Sequence, residues 1–391
     1  MKLFKTPKPL ALIITNTPWT EVPRSRHQFS NELSKNYNVL YLDIQMSKVT
    51  AAKTEISFVN ESICVVVFSI FSNFNYRFYA NSQIYHAFKN FYLSSYVKKF
   101  LKANSLNKIN LCCTFLPDSC KIVKSLQAER SFYFCVDDFV RMWRQQSRPN
   151  FLKYYYQRYW NLRREISLLK EVDFVLSSHL PLVHRHKRYN KKSYLFTHGH
   201  NLQIDNNISN VEPITDKNNK ILNVCFMGFL TYNLLNDWLL LLLKDPKICL
   251  HLIGPIDNRH FSIRNYIHHN NFVYHGVLIG NELQSTLRQM DVFVMPYNPL
   301  IPEVEVQTIS NKFYNYIATC RPVVISDMRY YKEFPHGVIY RSRTADEFKS
   351  QIFKAFEEDC EGMRLERLRI ANENSWSNRM TEFYKILNID N

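Results

Sequence analysis

Short apolar runs alternate with longer amphipathic stretches along most of the chain, and this alternation predicts strands followed by helices. Leu10–Asn16 and the β-branched run Ser62–Phe68 predict strands, whereas Gln83–Lys102 and Phe151–Lys170 have the length and spacing of helices. Strands that alternate with helices form parallel sheets with helices on both faces. The first half of the chain is therefore predicted to be an α/β domain with a doubly wound sheet.

The second half repeats the alternation, and most of its apolar runs end in a glycine or a proline. The endings are Gly228, Gly254-Pro255, Gly276, Pro296 and Asp327. Helices are predicted between the runs, including one over Asn258–His268. Ligands of such sheets bind beyond the carboxyl ends of the strands, where glycine lets backbone N–H groups approach a phosphate. Each glycine can also be a simple turn residue, but three at successive strand ends favour a nucleotide-binding domain.

A polar, turn-forming segment, NNISNVEPITDKNNK, separates the halves at residues 206–220. The sequence thus predicts an N-terminal domain over residues 1–205, a linker, and a C-terminal domain over residues 221–375. The last segment, residues 376–391, predicts a helix with Trp376, Phe383, Tyr384 and Leu387 as its apolar residues.

The formal net charge of +16 comes from the first half of the chain. Residues 1–200 hold 30 Lys and Arg against 12 Asp and Glu, a net of +18, whereas residues 201–391 hold 20 against 22, a net of −2. None of the seven glycines precedes Gly199. The two domains are therefore expected to have different tasks. The basic domain is expected to face an anionic partner, which is a membrane surface, a phosphorylated substrate or nucleic acid.

Several classes of protein are excluded by what the sequence lacks. No apolar run reaches the ~18 to 20 residues that span a bilayer. The short run Leu10–Ile14 is no signal-peptide core, so a cytosolic location is expected. The nine cysteines show no CxxC spacing and are expected to be free, mostly buried thiols. No G-x-G-x-x-G or Walker A sequence is present, which excludes the usual dinucleotide and P-loop sites.

The strand-ending motifs of the second half form a series. They are Phe226-Met-Gly-Phe-Leu, Leu252-Ile-Gly-Pro, Tyr274-His-Gly-Val, Asp291-Val-Phe-Val-Met-Pro-Tyr and Ser310-Asn-Lys-Phe-Tyr-Asn-Tyr-Ile-Ala-Thr-Cys-Arg-Pro-Val-Val-Ile-Ser. Together they resemble bacterial glycosyltransferases of the GT-B fold, in group 1 or family 4-like enzymes. The resemblance is fairly specific between residues 291 and 326 and diffuse elsewhere. It implies two Rossmann-like domains facing across a cleft, with the last helix returning to the first domain.

The resemblance also implies how a nucleotide-sugar donor is held, mainly by the C-terminal domain. The matching positions are Gly228, Thr231, Gly254, Pro255, Tyr297, Ser310, Asn311, Lys312 and Asn315. The loop after Gly228 and the helix start at Ser310 would offer N–H groups and a partial positive charge to the diphosphate. Lys312 would stabilise the departing nucleotide. The alternative interpretation is that Lys312 is a solvated surface lysine.

Two positions depart from the pattern of these enzymes. Asn315 and Gln307 stand where glutamates are usual, with Glu303 and Glu305 nearby. Asn315 can still bond a ribose hydroxyl, but it loses a charge-assisted bond worth ~1 kcal/mol or somewhat more. The departure leaves the identity of the donor open.

In the first half, Asp137 and Asp138 follow a predicted strand and are candidate catalytic carboxylates that orient or deprotonate an acceptor hydroxyl. The alternatives are capping of the next segment or a salt bridge with Arg141 or Arg144. His27 is a further candidate, either for contact with a phosphate or as an ordinary surface histidine.

Basic and aromatic residues of the first half are candidate contacts for the acceptor or for a membrane. The named residues are Arg24, Arg26, Arg141, Trp143 and Arg144. The stretch Arg141–Arg188 interleaves aromatic rings with Arg and Lys. Such a stretch holds an anionic leaflet, stacks on nucleic acid, or packs its rings into the core.

The leading hypothesis is thus a glycosyltransferase that moves a sugar from a nucleotide-sugar to a lipid-linked or polymeric glycan acceptor. The resemblance implies surface polysaccharide synthesis (capsule, lipopolysaccharide, exopolysaccharide or teichuronic-type chains) and retention of anomeric configuration. No cofactor, no metal and no nucleic acid are expected, and the enzyme is expected on the inner face of the cytoplasmic membrane. The alternatives are a non-catalytic GT-B-fold assembly subunit and a nucleic-acid-binding protein.

Overall fold

The computed structural model describes residues 3–5, 7–47, 53–71, 83–106, 108–140, 151–202, 220–301, 304 and 309–388. The chain divides into two units, each with its own sheet. The N-terminal unit consists of Met1–Thr197 together with Met380–Asn391, and the C-terminal unit consists of His198–Arg379. Most of the linker predicted at residues 206–220 lies outside the described residues.

The N-terminal unit is built on an eight-stranded sheet in the order β3-β4-β2-β1-β5-β6-β7-β8. All pairs are parallel except the antiparallel pair β3–β4. The central strands are continuous apolar runs because helices bury both faces of a parallel sheet. The strands are β1 (Leu10–Thr15), β2 (Asn38–Ser47), β3 (Lys53–Asn60), β4 (Ile63–Phe71), β5 (Leu111–Thr114), β6 (Arg130–Cys135), β7 (Phe174–Ser177) and β8 (Ser193–Leu195).

Helices and a cluster of phenylalanines cover this sheet. The helices are α1 (Ser25–Leu33), α2 (Gln83–Ala103), α3 (Cys120–Leu126), α4 (Phe151–Glu171) and α5 (Leu180–Lys187). Phe383, in the last helix of the chain, lies with its ring centroid 5.3 Å from that of Phe29 and 5.4 Å from that of Phe132. The last helix therefore returns to the N-terminal unit, where its rings complete the core.

The C-terminal unit has six strands, all parallel, in the order β11-β10-β9-β12-β13-β14. The strands are β9 (Leu222–Met227), β10 (Ile248–Ile253), β11 (Phe272–Tyr274), β12 (Val292–Met295), β13 (Val323–Ser326) and β14 (Ile339–Ser342). The helices are α6 (Asn236–Leu242), α7 (Gly280–Arg288), α8 (Asn311–Ile317), α9 (Ala345–Glu357) and α10 (Glu361–Glu373). The last helix, α11 (Trp376–Asn388), begins in this unit, and from Met380 onward it belongs to the N-terminal unit. None of the described helices is long and apolar enough to cross a membrane.

The predicted helix over Asn258–His268 is wrong. Only one turn, Ile263–Asn265, is helical there. The Asp257 carboxylate accepts hydrogen bonds from the backbone and side chain of Arg259, and this local turn competes with a continuing helix. The strands β3 and β14 and the helices α5, α9 and α10 were not predicted.

The units divide at residues 197/198 and 379/380, whereas the predicted domain boundaries are 205 and 375. Backbone pairing explains the difference. The N–H of His200 donates to the carbonyl of Asn374 at 3.2 Å, and the N–H of Trp376 donates to the carbonyl of His200 at 3.1 Å. These bonds hold both segments within the C-terminal unit.

Candidate active site

Three neighbouring strands of the C-terminal sheet, β9, β10 and β11, each end in a glycine, and these glycines pack on one another. The N–H of Gly228 donates to the carbonyl of Ile253 at 2.8 Å, and that of Gly254 donates to Gly276 at 2.7 Å. Gly254 has φ +126°, and a Cβ there would lie 2.1 Å from the carbonyl oxygen of Gly228. A side chain is thus excluded at Gly254, and the N–H groups of both glycines hold turns rather than a ligand.

The loop beyond Gly228 leaves one donor open. The N–H of Phe229 has no acceptor among the described residues, and its side chain is exposed. The next N–H, that of Leu230, donates to the carbonyl of Pro255 at 2.9 Å, and Thr231 is buried in the same loop. The backbone N–H group that the sequence predicts at Gly228 for the diphosphate is therefore offered by Phe229 instead.

Lys312 brings a cation to these strand ends. A Cβ on Gly228 would lie 2.6 Å from its Nζ, which also lies 4.8 Å from the ring centroid of Tyr297 and 5.3 Å from that of Phe226. The ammonium donates to the Tyr297 hydroxyl and forms no ion pair with any described carboxylate. Burial lowers the pKa of Lys312 to about 8. An enclosed ammonium with only aromatic and hydroxyl partners is suited to an incoming anion.

The other predicted donor residues lie on or before α8. The N–H of Ser310 donates to the Tyr331 hydroxyl at 3.1 Å, so this group is already used within the protein. Asn311 begins α8, and Asn315, partly buried, lies one helical turn later. Gln307, Glu303 and Glu305 lie outside the described residues.

In the N-terminal unit, the ring of His27 at the start of α1 is held by hydrogen bonds within the protein and is not offered to a ligand. Its Nδ1 accepts a hydrogen bond from the backbone N–H of Arg24 at 2.9 Å, so Nε2 carries the proton and donates to the carbonyl of Pro18 at 3.0 Å. Burial lowers the pKa of His27, which agrees with a neutral ring. Both ring nitrogens are thus occupied within the protein, which favours a structural role for His27, and its catalytic or phosphate-binding role stays a prediction.

Arg26 and Asp137 influence each other electrostatically without forming an ion pair among the described residues. Arg26 is buried, with its guanidinium carbon 5.4 Å from the Phe115 ring centroid and its Nε without a hydrogen-bond partner. Burial raises the pKa of Asp137 to about 6, although the positive charges of Arg26 and Arg24 act in the opposite direction. Arg24 is exposed and pairs with Glu21 at 2.7 Å.

Asp138 differs sharply from its neighbour Asp137. Its two oxygens accept hydrogen bonds from Nη1 of Arg185 at 2.8 and 2.9 Å, and Nη2 of Arg185 donates to Glu165 at 3.1 Å. Burial by itself lowers the pKa of Arg185, but the charges of Glu165 and Asp138 outweigh it and raise that pKa. Asp138 is therefore held by Arg185 within the protein, which favours a structural role, and its catalytic assignment stays a prediction.

Sequence reasoning missed Arg185 as the partner of Asp138. It considered Arg141 and Arg144, which lie, like Trp143, outside the described residues. Arg185 is 47 residues further along the chain than Asp138, and no spacing rule connects them. Of the aspartate pair, only Asp137 keeps a carboxylate that can serve as a base.

Residues 222–358 match the family model of the glycosyl transferases group 1. No curated protein matches the chain.

Solved structures resemble the whole chain at low sequence identity. Sucrose-phosphate synthase from Thermosynechococcus elongatus has 13% identity and a TM-score of 0.66, with 97% of this chain and 99% of that one covered. HepE from Anabaena, solved in complex with UDP, has 13% identity and a TM-score of 0.62, with the same shares covered. A UDP-forming α,α-trehalose-phosphate synthase from Burkholderia xenovorans has 11% identity and a TM-score of 0.62, with 98% of this chain and 100% of that one covered.

These findings confirm the resemblance. Residues 222–358 form a glycosyl transferases group 1 domain, and the two parallel-sheet units have the GT-B fold. The family match over residues 222–358 agrees with the predicted glycosyltransferase.

Proposed function

We propose that this GT-B glycosyltransferase moves a sugar from a nucleoside-diphosphate donor to a lipid-linked or polymeric glycan acceptor in surface polysaccharide synthesis. The observation that carries the donor half of the proposal is the enclosed ammonium of Lys312 beside the glycine turns, with no described carboxylate to neutralise it. A diphosphate supplies the missing negative charge. HepE was solved in complex with UDP, and a similar structure from Escherichia coli, described as trehalose-6-phosphate, was solved with UDP-2-fluoro glucose. UDP-sugars are therefore the first donors to test.

In the proposed reaction, the donor diphosphate lies against Lys312 and the N–H of Phe229. As the bond from sugar to phosphate breaks, negative charge grows on the leaving nucleotide, and a preorganised cation stabilises that charge more than it stabilises the bound donor. Asn315 bonds a ribose hydroxyl. The proposed transfer retains the anomeric configuration, and it needs neither a metal nor an enzymatic nucleophile.

Asp137 is the proposed acceptor-side base. Its raised pKa of about 6 leaves it ionised at neutral pH but able to take a proton from an acceptor hydroxyl. Arg26, with an unsatisfied Nε, lies close enough to act on its charge and offers a contact for a negatively charged acceptor.

A membrane-bound acceptor fits the surface of the N-terminal unit. The side chains of Phe88 and Phe91 on α2 are 62% and 74% exposed. The same end of α2 lies at the carboxyl edge of the sheet, because His86 and Lys89 contact Asp118 in the loop after β5. Exposed rings on a basic unit are typical of proteins that bind an anionic leaflet, so we propose peripheral association with the inner face of the cytoplasmic membrane.

A transfer assay tests the enzymatic proposal directly. The purified protein is incubated with UDP-, GDP-, ADP- and CDP-sugars and a polyprenyl-diphosphate-sugar acceptor. We expect transfer, with release of the nucleoside diphosphate, from at least one donor. Absence of both transfer and nucleotide release across the whole panel would contradict the proposal.

A vesicle sedimentation assay tests the membrane component separately. The double variant Phe88→Ser/Phe91→Ser is expected to bind phosphatidylglycerol-containing vesicles about tenfold less tightly than the wild type, because two rings no longer enter the interface. Phe58→Ser, which removes another exposed ring of the same unit, is the matched control. Equal binding of the wild type and the double variant would rule out this face of α2 as the contact.

The alternative function is a non-catalytic assembly subunit, and it is favoured by one observation, the amide of Asn315 where these enzymes usually have a glutamate. A thermal-shift measurement distinguishes the two. A functional donor site raises the melting temperature in millimolar UDP, GDP, ADP or CDP, because a ligand that binds only the folded state stabilises it. An unchanged melting temperature in all four nucleotides would favour the assembly subunit.

A further inference from the structure

A fully buried cluster of three potential metal ligands lies in the N-terminal unit, and the thiol of Cys135 lies 3.2 Å from the backbone carbonyl of Asp137. Cys135 ends β6, Glu165 belongs to α4 and His186 to α5, and their ligand atoms all lie within 4.8 Å of one another. Oε1 of Glu165 is 3.5 Å from Nε2 of His186 and 3.9 Å from Sγ of Cys135. Metal–ligand bonds of ~2.0 to 2.3 Å in a tetrahedral zinc site place ligand atoms ~3.3 to 3.7 Å apart. The three atoms thus stand close to three corners of such a site.

The surrounding hydrogen bonds orient the ligand atoms as metal sites require. Nδ1 of His186 lies 2.8 Å from Oγ of Ser177, while its buried Nε2, directed at Glu165, has no hydrogen-bond partner. Arg185 holds the second oxygen of Glu165. In known sites, the outer nitrogen of a histidine ligand and the second oxygen of a carboxylate ligand are fixed in this way. The hydroxyl of Tyr133, 3.3 Å from Oε1 of Glu165, is placed to be a fourth ligand.

The charges of the cluster also favour a cation. The carboxylate of Glu165 and the sulfur of Cys135 are buried side by side. Burying unbalanced charge is costly. A divalent cation bound by the Glu165 carboxylate and a Cys135 thiolate balances both of their negative charges. The sulfur and nitrogen ligands select Zn²⁺ rather than Mg²⁺ or Ca²⁺.

We propose that Cys135, Glu165 and His186, with the hydroxyl of Tyr133, bind a structural Zn²⁺ ion. The ion joins the end of β6 to α4 and α5, which fixes the strand end from which Asp137 emerges. The site is closed to solvent and takes no part in sugar transfer, so this proposal is independent of the proposed function.

Metal analysis of the purified full-length protein tests the proposal. After treatment with a chelator and reconstitution, we expect one equivalent of Zn²⁺ or Co²⁺ per chain, a thiolate-to-cobalt charge-transfer band, and a melting temperature that rises with Zn²⁺. The variants Cys135→Ser and His186→Gln are each expected to retain at most about a tenth of the metal that the wild type binds. Cys113→Ser, which removes another buried thiol from the same sheet, is expected to keep one equivalent.

The wild-type measurements decide the question even if a variant fails to fold. A wild-type protein that binds less than about a tenth of an equivalent and shows no thermal response to Zn²⁺ would overturn the proposal. Full metal binding by Cys135→Ser would overturn the ligand assignment.

Discussion

The two units of this protein each place a partly buried cation beside the carboxyl ends of their strands, but the cation is paired in one unit and unpaired among the described residues of the other. In the N-terminal unit, the guanidinium of Arg185 binds two carboxylates, Asp138 and Glu165. In the C-terminal unit, the ammonium of Lys312 has two aromatic rings and a hydroxyl, and no described carboxylate. The paired cation holds its own unit together, whereas the unpaired cation carries a desolvation cost that only an external anion offsets.

The chemistry of the two side chains matches these tasks. A guanidinium is planar and always charged, and its fork fits two carboxylates at fixed positions. An ammonium is a compact charge whose pKa shifts when it is buried, and burial lowers that of Lys312 to about 8. The contrast therefore predicts that the unit with Arg185 depends on its cation for stability, and that the unit with Lys312 depends on its cation for binding.

Replacement of Arg185 by methionine is expected to have the largest effect. Two buried carboxylates lose their partner, which lowers the free energy of unfolding by about 3–5 kcal/mol. Urea denaturation measures this change. Arg188→Met, an exposed position close in sequence, is the control and should stay within about 0.5 kcal/mol of the wild type. A loss below about 1 kcal/mol for Arg185→Met would show that the carboxylates find other partners.

Replacement of Lys312 by methionine is expected to separate binding from stability. The value of kcat/KM should fall about 100-fold, roughly 2.7 kcal/mol, because the leaving diphosphate loses its cation. The free energy of unfolding should stay unchanged or rise, since an unpaired buried charge is removed. Lys244→Met, at an exposed lysine of the same unit, is the control for steady-state kinetics and for urea denaturation. Unchanged kcat/KM in Lys312→Met would remove the basis of the proposed donor site.

Asp137 provides a pH-dependent test in the N-terminal unit. Its folded-state pKa of about 6 lies above the ordinary aspartate value of 3.8, so the folded state holds the proton more tightly than the unfolded state. The ionised carboxylate therefore destabilises the fold, an effect that begins as the pH rises above about 4 and is complete above about 6. Asp137→Asn should raise the free energy of unfolding by about 2 kcal/mol at pH 8 and change it little at pH 4.

Urea denaturation at both pH values measures this difference. An equal effect of the substitution at pH 4 and pH 8 would mean that Asp137 is not destabilised by its surroundings. The same carboxylate should make kcat/KM of the wild type fall as the pH drops below about 6, because the proposed base becomes protonated.

The smallest expected effect is the pH dependence of nucleotide affinity, which tests whether the charge of Lys312 in the C-terminal unit contributes to binding. With its pKa lowered to about 8, Lys312 loses its proton between pH 7 and pH 9. UDP affinity measured by calorimetry should fall about tenfold over that range, roughly 1.4 kcal/mol. Lys312→Met should bind weakly and show no such fall. A wild-type affinity that is constant from pH 7 to pH 9 would argue against an ammonium in contact with the diphosphate.

Much of the C-terminal unit could be predicted because its signals are local. Five of its six strands were expected, and the glycines after β9, β10 and β11 correctly marked the strand ends. The prediction of a helix over Asn258–His268 was wrong because the side chain of Asp257 stabilises a local turn, which the hydrophobic periodicity of the sequence does not reveal. Strand β3 was missed because it is an edge strand with exposed residues such as Ile56 and Phe58, so it lacks the buried apolar run of its neighbours.

The candidate site was predicted less completely than the fold. Lys312 was expected near a phosphate, and the structure places its ammonium beside Gly228, as that role requires. By contrast, sequence alone could not distinguish Asp137 from Asp138, although the two are adjacent. The distinction depends on Arg185, which reaches only Asp138, and on the burial that raises the pKa of Asp137.

The sequence by itself determined the alternation of strands and helices, the basic N-terminal half and the motifs of a glycosyl transferases group 1 domain. These properties follow from residue types at short spacings, where periodicity, turn residues and composition act locally. Only the tertiary structure decided which charges are paired, which N–H groups are already used and which side chains form the Cys135–Glu165–His186 cluster. Those contacts join residues 20 to 50 positions apart, and the burial that gives them their energy exists only once the sheets have formed.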